Sequence, residues 1–135
     1  MFCLDTNVVI FAINRRRPEI AERLEVELAR GTALMLPAMV LCELRYGIAK
    51  SDRRARAESA LAAFLAAGFE IPAFDAEDAA EAGEIRAFLE ARATPIGPYD
   101  VLIAAQARRR GAALVTLDRR EFERVPGLIV TDWAA

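Results

Sequence analysis

Histidine is absent from all 135 residues of the chain. This absence excludes the usual general base at neutral pH, the Ser-His and Cys-His nucleophile pairs, and metal sites of the HExxH type. Any chemistry must therefore come from carboxylates, hydroxyl groups or a bound metal ion.

Cysteine is scarce, with only Cys3 and Cys42 in the chain. Both lie in apolar stretches, and their spacing is not typical of a disulfide, a redox pair or a zinc site. We predict that both are small core residues.

Long hydrophobic runs are also missing. No apolar run approaches the roughly 20 residues that span a bilayer, and the N-terminus lacks the charged-then-apolar order of a signal peptide. We expect no membrane partner and a cytoplasmic location. A hydrophobic content of 55% is enough to form one compact core, so we expect a single domain over residues 1–135.

The formal net charge of −2 conceals an uneven distribution. Acidic residues concentrate between residues 75 and 90, where we expect them to form mostly the solvated face of a helix. The arginines form three clusters, so the overall charge does not exclude a nucleic-acid partner. These clusters are Arg15–Arg17, Arg53 with Arg54 and Arg56, and Arg108–Arg110.

Short apolar runs alternate with segments of helical periodicity along the chain. This alternation predicts an α/β domain with a mainly parallel central sheet flanked by helices and joined by right-handed crossovers. The predicted strands are Phe2–Leu4, Ala33–Leu36, Ala113–Thr116 and Leu128–Thr131, with Phe69–Phe74 as an edge candidate because it contains Pro72. The predicted helices are one after Asp5, Pro18–Gly31, Ala38–Ala49, Arg53–Ala67, Ala76–Arg92, Pro98–Gly111 and a short one at Asp118–Glu121.

Asp5 and Asp118 each follow a predicted strand, and Asp100 lies in the first turn of a predicted helix. In an open parallel sheet, ligands bind beyond the carboxyl ends of the strands, so these acids are candidates for one site. Each also has a structural alternative. Asp5 could cap its helix, Asp100 could favour a helix dipole, and Asp118 could form an acidic variant of the capping box with Glu121.

Glu43 lies in a helix that is apolar on nearly every side. An unpaired buried carboxylate costs several kcal/mol or shifts its pKa, so Glu43 requires a cation, either a metal ion or an arginine from another helix. If it joins the three aspartates, the oxygen-only donor set favours a hard cation such as Mg²⁺ or Mn²⁺.

Four segments of the chain resemble the PIN domain family, in particular the VapC toxins of bacterial toxin–antitoxin pairs. The likeness covers essentially the whole chain. The segments are Leu4-Asp5-Thr6-Asn7, Leu41-Cys42-Glu43-Leu44, Pro95-Ile96-Gly97-Pro98-Tyr99-Asp100 with Ile103-Ala104-Ala105, and Val115-Thr116-Leu117-Asp118.

The resemblance implies a three-layer PIN-like fold and a ribonuclease that depends on Mg²⁺ or Mn²⁺. The acids that match the family pattern are Asp5, Glu43, Asp100 and Asp118, and their supporting polar residues are Thr6, Asn7 and Thr116. The implied reaction is hydrolysis of an RNA phosphodiester by a metal-activated water. The implied partners are the RNA substrate, a small VapB-like antitoxin and a second copy of the chain.

Two other functions fit part of the pattern. A phosphatase of the haloacid dehalogenase type would use Asp5 as a nucleophile, but such enzymes usually have a second aspartate where this chain has Asn7. A catalytically silent RNA- or protein-binding module of the same fold is the other alternative, because fold alone never guarantees activity.

Overall fold

The structure, a computed structural model, describes residues 1–133. Four short parallel strands form one sheet in the order β2-β1-β3-β4. Their apolar runs explain the burial of the central strands β1 and β3. The predicted parallel sheet is confirmed. The strands are β1 Phe2–Leu4, β2 Leu34–Met35, β3 Ala113–Val115 and β4 Ile129–Thr131.

Helices flank the sheet, and every helix predicted from the sequence is present. Proline occupies a first-turn position of α2 and α6, where its missing N–H costs no hydrogen bond. The helices are α1 Thr6–Asn14, α2 Pro18–Ala29, α3 Ala38–Ala49, α4 Arg54–Leu65, α5 Ala76–Ala91, α6 Pro98–Arg109 and α7 Arg119–Phe122.

The predicted edge strand Phe69–Phe74 is wrong. Only Glu70 bridges to Met35, with hydrogen bonds of 2.9 Å from Glu70 N to Leu34 O and 2.8 Å from Leu36 N to Glu70 O. Pro72 has no backbone N–H to donate, so the ladder cannot continue along this segment.

The carboxyl ends of the strands share one edge of the sheet, and α1 and α7 begin there, directly after Asp5 and Asp118. The helix α6 precedes β3 through a short turn at Gly111, whose φ of 65° is easy for glycine. Because α6 runs back across the sheet, its first turn returns to the same edge. The fold therefore directs three chain segments into one crevice.

The cysteines differ from the prediction. Cys3 is fully buried in the core, but Cys42 is exposed, and both are free thiols. The buried residues of α3 are Val40, Leu44 and Ile48, which repeat every four positions. Cys42 is two positions from Val40 and Leu44, so it projects from the opposite face of the helix. Within residues 1–133, no helix is long and apolar enough to cross a membrane.

The acids of α5 are not all on a solvated face, because Asp78 is fully buried. It accepts hydrogen bonds from Arg109 and Arg110, each at 2.8 Å, and from Gln106 at 3.2 Å. It also forms a capping box with Asp75 at the start of the helix. Burial alone would raise the pKa of Asp78, but the hydrogen bonds from Arg110 and Arg109 hold it well below its usual range.

The third arginine cluster, Arg108–Arg110, belongs to this network of ion pairs. Arg108 pairs with Glu81, and Arg109 also pairs with Asp75 and Glu77. These arginines tie the end of α6 to the start of α5 and are not a free cationic surface.

Removing the Asp78 carboxylate should destabilise the fold. Asp78→Ala leaves two arginines beside an empty buried position, so we expect a loss of about 3–5 kcal/mol in the free energy of unfolding. Urea denaturation at pH 7 measures it. The matched control is Glu84→Ala, an exposed acid on the same helix, which should change stability little. Equal effects of the two substitutions would contradict the structural role of Asp78.

Candidate active site

Asp5 is fixed through both oxygens of its carboxylate. Oδ1 accepts a 2.8 Å hydrogen bond from the backbone N–H of Thr6, and Oδ2 accepts one of 2.8 Å from the hydroxyl of Thr116. Asp5 therefore caps α1 and also bridges to the end of β3. Burial raises its pKa, the two hydrogen bonds oppose that rise, and the charge of Asp118 adds to it.

Glu43 is half-buried on α3 and faces Asp5. Burial raises its pKa, and the charge of Asp5 contributes to the rise. The buried hydroxyl of Thr6 makes no well-formed hydrogen bond within residues 1–133, but it lies close enough to Glu43 to lower that pKa. Within residues 1–133, no arginine from another helix forms an ion pair with Glu43, and Arg45 on its own helix pairs with Glu58 at 3.1 Å.

Asp100 carries the strongest electrostatic signal at this edge of the sheet. Its pKa rises from 3.8 to about 7, first because the side chain is desolvated and then because other carboxylates surround it. Those carboxylates belong to Asp5, Glu121, Glu43 and Asp118. The four acids predicted from the sequence thus act on one another in a single crevice.

Gly97 makes room for this arrangement. A Cβ atom at this position would lie 3.3 Å from Oδ2 of Asp100, closer than side chains normally pack. The glycine before α6 therefore lets the loop approach the Asp100 carboxylate.

Asp118 does not form the predicted capping box. It occupies the N-cap position of α7, but its side chain accepts no capping hydrogen bond, and its own N–H donates to Thr116 Oγ1 at 3.0 Å. Its carboxylate instead faces Glu121. A hydrogen bond to Asp118 raises the pKa of Glu121, because only a protonated carboxyl can donate, and burial adds to the rise.

Glu121 is thus a fifth acid of the site, and the sequence analysis treated it only as a capping residue. It also hydrogen-bonds to Asp100. The signal that could have identified it is the spacing of three residues from Asp118, which places both acids on one side of the first turn. We call Asp5, Glu43, Asp100, Asp118 and Glu121 the acid cluster.

The polar residues proposed to support the acids divide into two groups. Thr116 holds Asp5 and Asp118 together, and Thr6 lies between Asp5 and Glu43. Asn7 is exposed in the first turn of α1, and its side chain makes no hydrogen bond in the part of the chain that the structure describes. The structure brings the two threonines to the acids but not Asn7.

Comparisons with known proteins identify the family of the chain. The profile of the PIN domain family matches residues 2–128. The chain belongs to the PIN domain family. The resemblance to VapC proteins is confirmed by relatives of full length. The tRNA(fMet)-specific endonuclease VapC of Salmonella typhimurium is 39% identical over 132 residues, which cover 98% of this chain and 97% of that protein. Ribonuclease VapC2 of Rickettsia felis is 38% identical and covers 98% of both chains.

Solved structures show the same fold. The VapBC2 complex of Rickettsia felis bound to a promoter DNA fragment contains a chain with a TM-score of 0.91 and 35% identity, covering 98% of each chain. The DNA-bound VapBC complex of Salmonella typhimurium matches with a TM-score of 0.88, 38% identity and the same coverage. The PIN-like fold predicted from the sequence is confirmed.

The acid cluster of this PIN domain fits a hard cation in its donor chemistry. All donors are oxygens, and the charges that shift the pKa values of Asp5, Glu43 and Asp100 come from other carboxylates. The buried Thr6 hydroxyl makes no well-formed hydrogen bond within residues 1–133. Across residues 1–133, no three such side chains stand close enough together to enclose a metal ion by themselves.

The raised pKa of Asp100 predicts how the metal-free protein responds to pH. A carboxyl whose pKa is higher in the folded state stabilises the protein below its unfolded pKa of 3.8, and this contribution is lost as the pH rises through about 7. At pH 8 in EDTA, Asp100→Asn should therefore melt at a higher temperature than wild type. Its free energy of unfolding should be higher by about 1 kcal/mol after allowance for solvent screening. At pH 5 the difference should shrink.

Thermal melts at both pH values test this, with Asp52→Asn as the control because Asp52 is an exposed acid in the turn between α3 and α4. Excess Mg²⁺ should reverse the order at pH 8, since a ligand that binds only the folded wild-type site stabilises it by mass action. If Asp100→Asn is destabilised in EDTA and responds to Mg²⁺ like wild type, Asp100 only supports its helix and is no metal ligand.

Proposed function

We propose that this PIN domain is a VapC-type endoribonuclease toxin, which hydrolyses RNA phosphodiester bonds with Mg²⁺ or Mn²⁺ and is inhibited by a VapB-like antitoxin. The full-length relatives named as ribonucleases support the reaction class. The observation that carries the proposal is the convergence of Asp5, Glu43 and Asp118 on Asp100. Burial and then the charges of these neighbours raise the pKa of Asp100.

The residues of the cluster have separate roles in this reaction. Asp5, Glu43, Asp100 and Asp118 would hold the cation, directly or through water. When bound, the cation supplies a water of lowered pKa and neutralises charge on the phosphate. Thr116 and the N–H of Thr6 fix both oxygens of Asp5, so this carboxylate keeps one orientation.

Glu121 stands beside the four acids that would hold the cation. A hydrogen bond with Asp118 and burial raise its pKa, while Arg124 and a hydrogen bond with Asp100 lower it. No histidine and no side-chain nucleophile is required.

The central test is metal-dependent cleavage. Purified protein should cut RNA with Mg²⁺ or Mn²⁺ and stop in EDTA, and tRNA(fMet) transcripts are the first substrate to try because two relatives carry that name. Asp5→Asn and Asp100→Asn should lower the turnover by orders of magnitude, since each removes a group that holds the cation. Gel analysis of the products measures the rates.

Circular dichroism shows whether the variants remain folded, and Asp52→Asn is again the matched control. Cleavage that continues in EDTA, or that survives Asp100→Asn, would refute the proposed mechanism. RNA binding without cleavage under every metal condition would instead identify the catalytically silent module.

The antitoxin part of the proposal rests on a groove of about 250 Å³ between α1, α3 and α4. Ile13, Leu44 and Leu61 line it, so its walls are largely apolar. Glu43 lies at the end next to the acid cluster, and Asn14, Ser51 and Ala57 line the other parts. Such a groove suits an apolar peptide segment that lies across α3 and α4 near Glu43.

The charges around this groove favour a peptide segment with one acidic end and one basic end. Four arginines close in sequence to the groove residues Asn14, Ser51 and Ala57 form no ion pair within the described residues. They are Arg16, Arg53, Arg54 and Arg56. They would attract an acidic end of the segment, while Glu43 would attract a basic one. Crystal structures of VapBC complexes among the relatives are consistent with an antitoxin partner.

Expression in bacteria tests the toxin assignment. We expect wild type to arrest growth, Asp100→Asn to be harmless, and a small cognate protein to restore growth and to co-purify. Its action would take place in the cytoplasm, where the RNA is. Normal growth with all acids intact, and no co-purifying protein, would argue against a toxin. Light scattering on the purified chain would test the proposed homodimer.

A further inference from the structure

A second pocket, of about 510 Å³, lies between α5, the loop before α6 and the first turns of α6. Its walls include Leu89, Ile96, Pro98 and Leu102, and Tyr99 contributes an aromatic ring. Tyr99 is 57% exposed although it is a large aromatic residue. None of the five residues of the acid cluster lines this pocket, so it is a separate feature of the molecule.

The pocket and the acid cluster share one short segment of chain. Pro98 and Tyr99 line the pocket. The next residue, Asp100, belongs to the acid cluster, and Gly97 leaves room for its carboxylate. The first turn of α6 therefore separates the two, with Asp100 on one side and Leu102 on the other. A helix with its side chains is about 10–12 Å across, so an RNA strand at the acids can reach over Tyr99 to the pocket.

The segment between them is held in place by hydrogen bonds. Thr94 N donates to Leu89 O at 3.0 Å, and Arg124 Nη1 donates to Pro95 O at 3.1 Å. Arg124 also lowers the pKa of Glu121, so it connects the loop to the acid cluster electrostatically. The pocket is consequently positioned relative to the acids before any ligand arrives.

The lining of the pocket has the chemistry of a site for an unstacked base. Single-stranded RNA is bound by stacking bases on aromatic side chains, with polar groups reading the base edges. Tyr99 and the apolar walls supply the stacking surface. At the rim, Arg86 and Glu90 form an exposed 3.0 Å ion pair that offers both donors and acceptors.

The charges near the loop favour a phosphate backbone. Arg92 lies over the ring of Phe88 at 3.5 Å, and Arg124 binds the backbone of Pro95. In the part of the chain that the structure describes, neither guanidinium forms an ion pair with a carboxylate. Two arginines beside this loop that have no ion-pair partner in that part of the chain suit a polyanion better than an apolar protein surface.

We propose that this pocket binds an unpaired base of the RNA substrate, next to the nucleotides at the cleaved bond, and that Tyr99 is a residue that determines substrate preference. The inference rests on the proposed ribonuclease function. It adds a base-binding subsite that is separate from the acids.

Gly83 provides the variant that fills the pocket. It lines the pocket on α5, it is exposed, and a Cβ atom there would meet nothing within 4 Å. Gly83→Leu should fold well because leucine favours a helix more than glycine does. The matched control is Ala80→Leu, an exposed alanine of the same helix that does not line the pocket.

The experiment measures binding of a short fluorescein-labelled single-stranded RNA to the full chain by anisotropy, in an Asp100→Asn background that prevents cleavage. Gly83→Leu and Tyr99→Ala should weaken binding by roughly 5- to 150-fold, the range for loss of one base–aromatic stack. Tyr99→Phe keeps the ring and should bind nearly as wild type does. An RNA with the same backbone and abasic nucleotides should bind all variants equally.

The outcomes test the base-binding pocket and the ribonuclease proposal separately. Unchanged RNA binding by Gly83→Leu overturns the subsite, and so does a change of oligomeric state without a change in RNA affinity, which would make the pocket a protein interface. If wild type binds RNA in a base-dependent way through Tyr99 but cleaves with neither Mg²⁺ nor Mn²⁺, the subsite stands and the ribonuclease proposal fails. If wild type binds no RNA, both fail.

Discussion

Repulsion between carboxylates at one edge of the sheet is the constraint on which the candidate site depends. Five acids share this crevice, and burial together with the like charges of its neighbours raises the pKa of Asp100 to about 7. Arg124 acts on Glu121, but within residues 1–133 none of the five acids forms an ion pair with an arginine or lysine. Thr116, which donates to Asp5 and accepts from the N–H of Asp118, holds two of these acids in place.

The opposite end of the α5–α6 pair shows how the same chain treats a buried acid that has only a structural role. Asp78 is enclosed by Arg109, Arg110 and Gln106, and its pKa is lowered. At one end of this helix pair the buried charge is neutralised by arginines of the chain. At the other end the carboxylates act on one another, as the raised pKa of Asp100 shows.

The two surface cavities flank the acids on different helices, and this gives the proposed toxin two distinct contacts. The groove between α1, α3 and α4 ends at Glu43, and the pocket between α5 and α6 lies beyond Asp100. An inhibitor that occupies the first can reach the acids without filling the second. Inhibition and substrate preference can therefore change independently through different residues.

Local patterns in the sequence were enough to identify the strands, the helices and the acids Asp5, Glu43, Asp100 and Asp118. A strand or helix follows from its own periodicity, and an acid at the end of a buried strand falls at a known edge of a parallel sheet. Comparison with relatives confirmed the family, while the role of each acid stays a prediction.

Long-range contacts decided the rest. Asp78 is buried because arginines from α6, about thirty positions later in the chain, neutralise it. Glu121 joins the site because Asp100 arrives from another helix, and Cys42 is exposed because α3 presents its other face to the core. The segment Phe69–Phe74 makes a single bridge because only Glu70 meets the edge of β2. In each case the environment of the side chain is formed by distant segments, so its burial and charge state depend on how the helices pack.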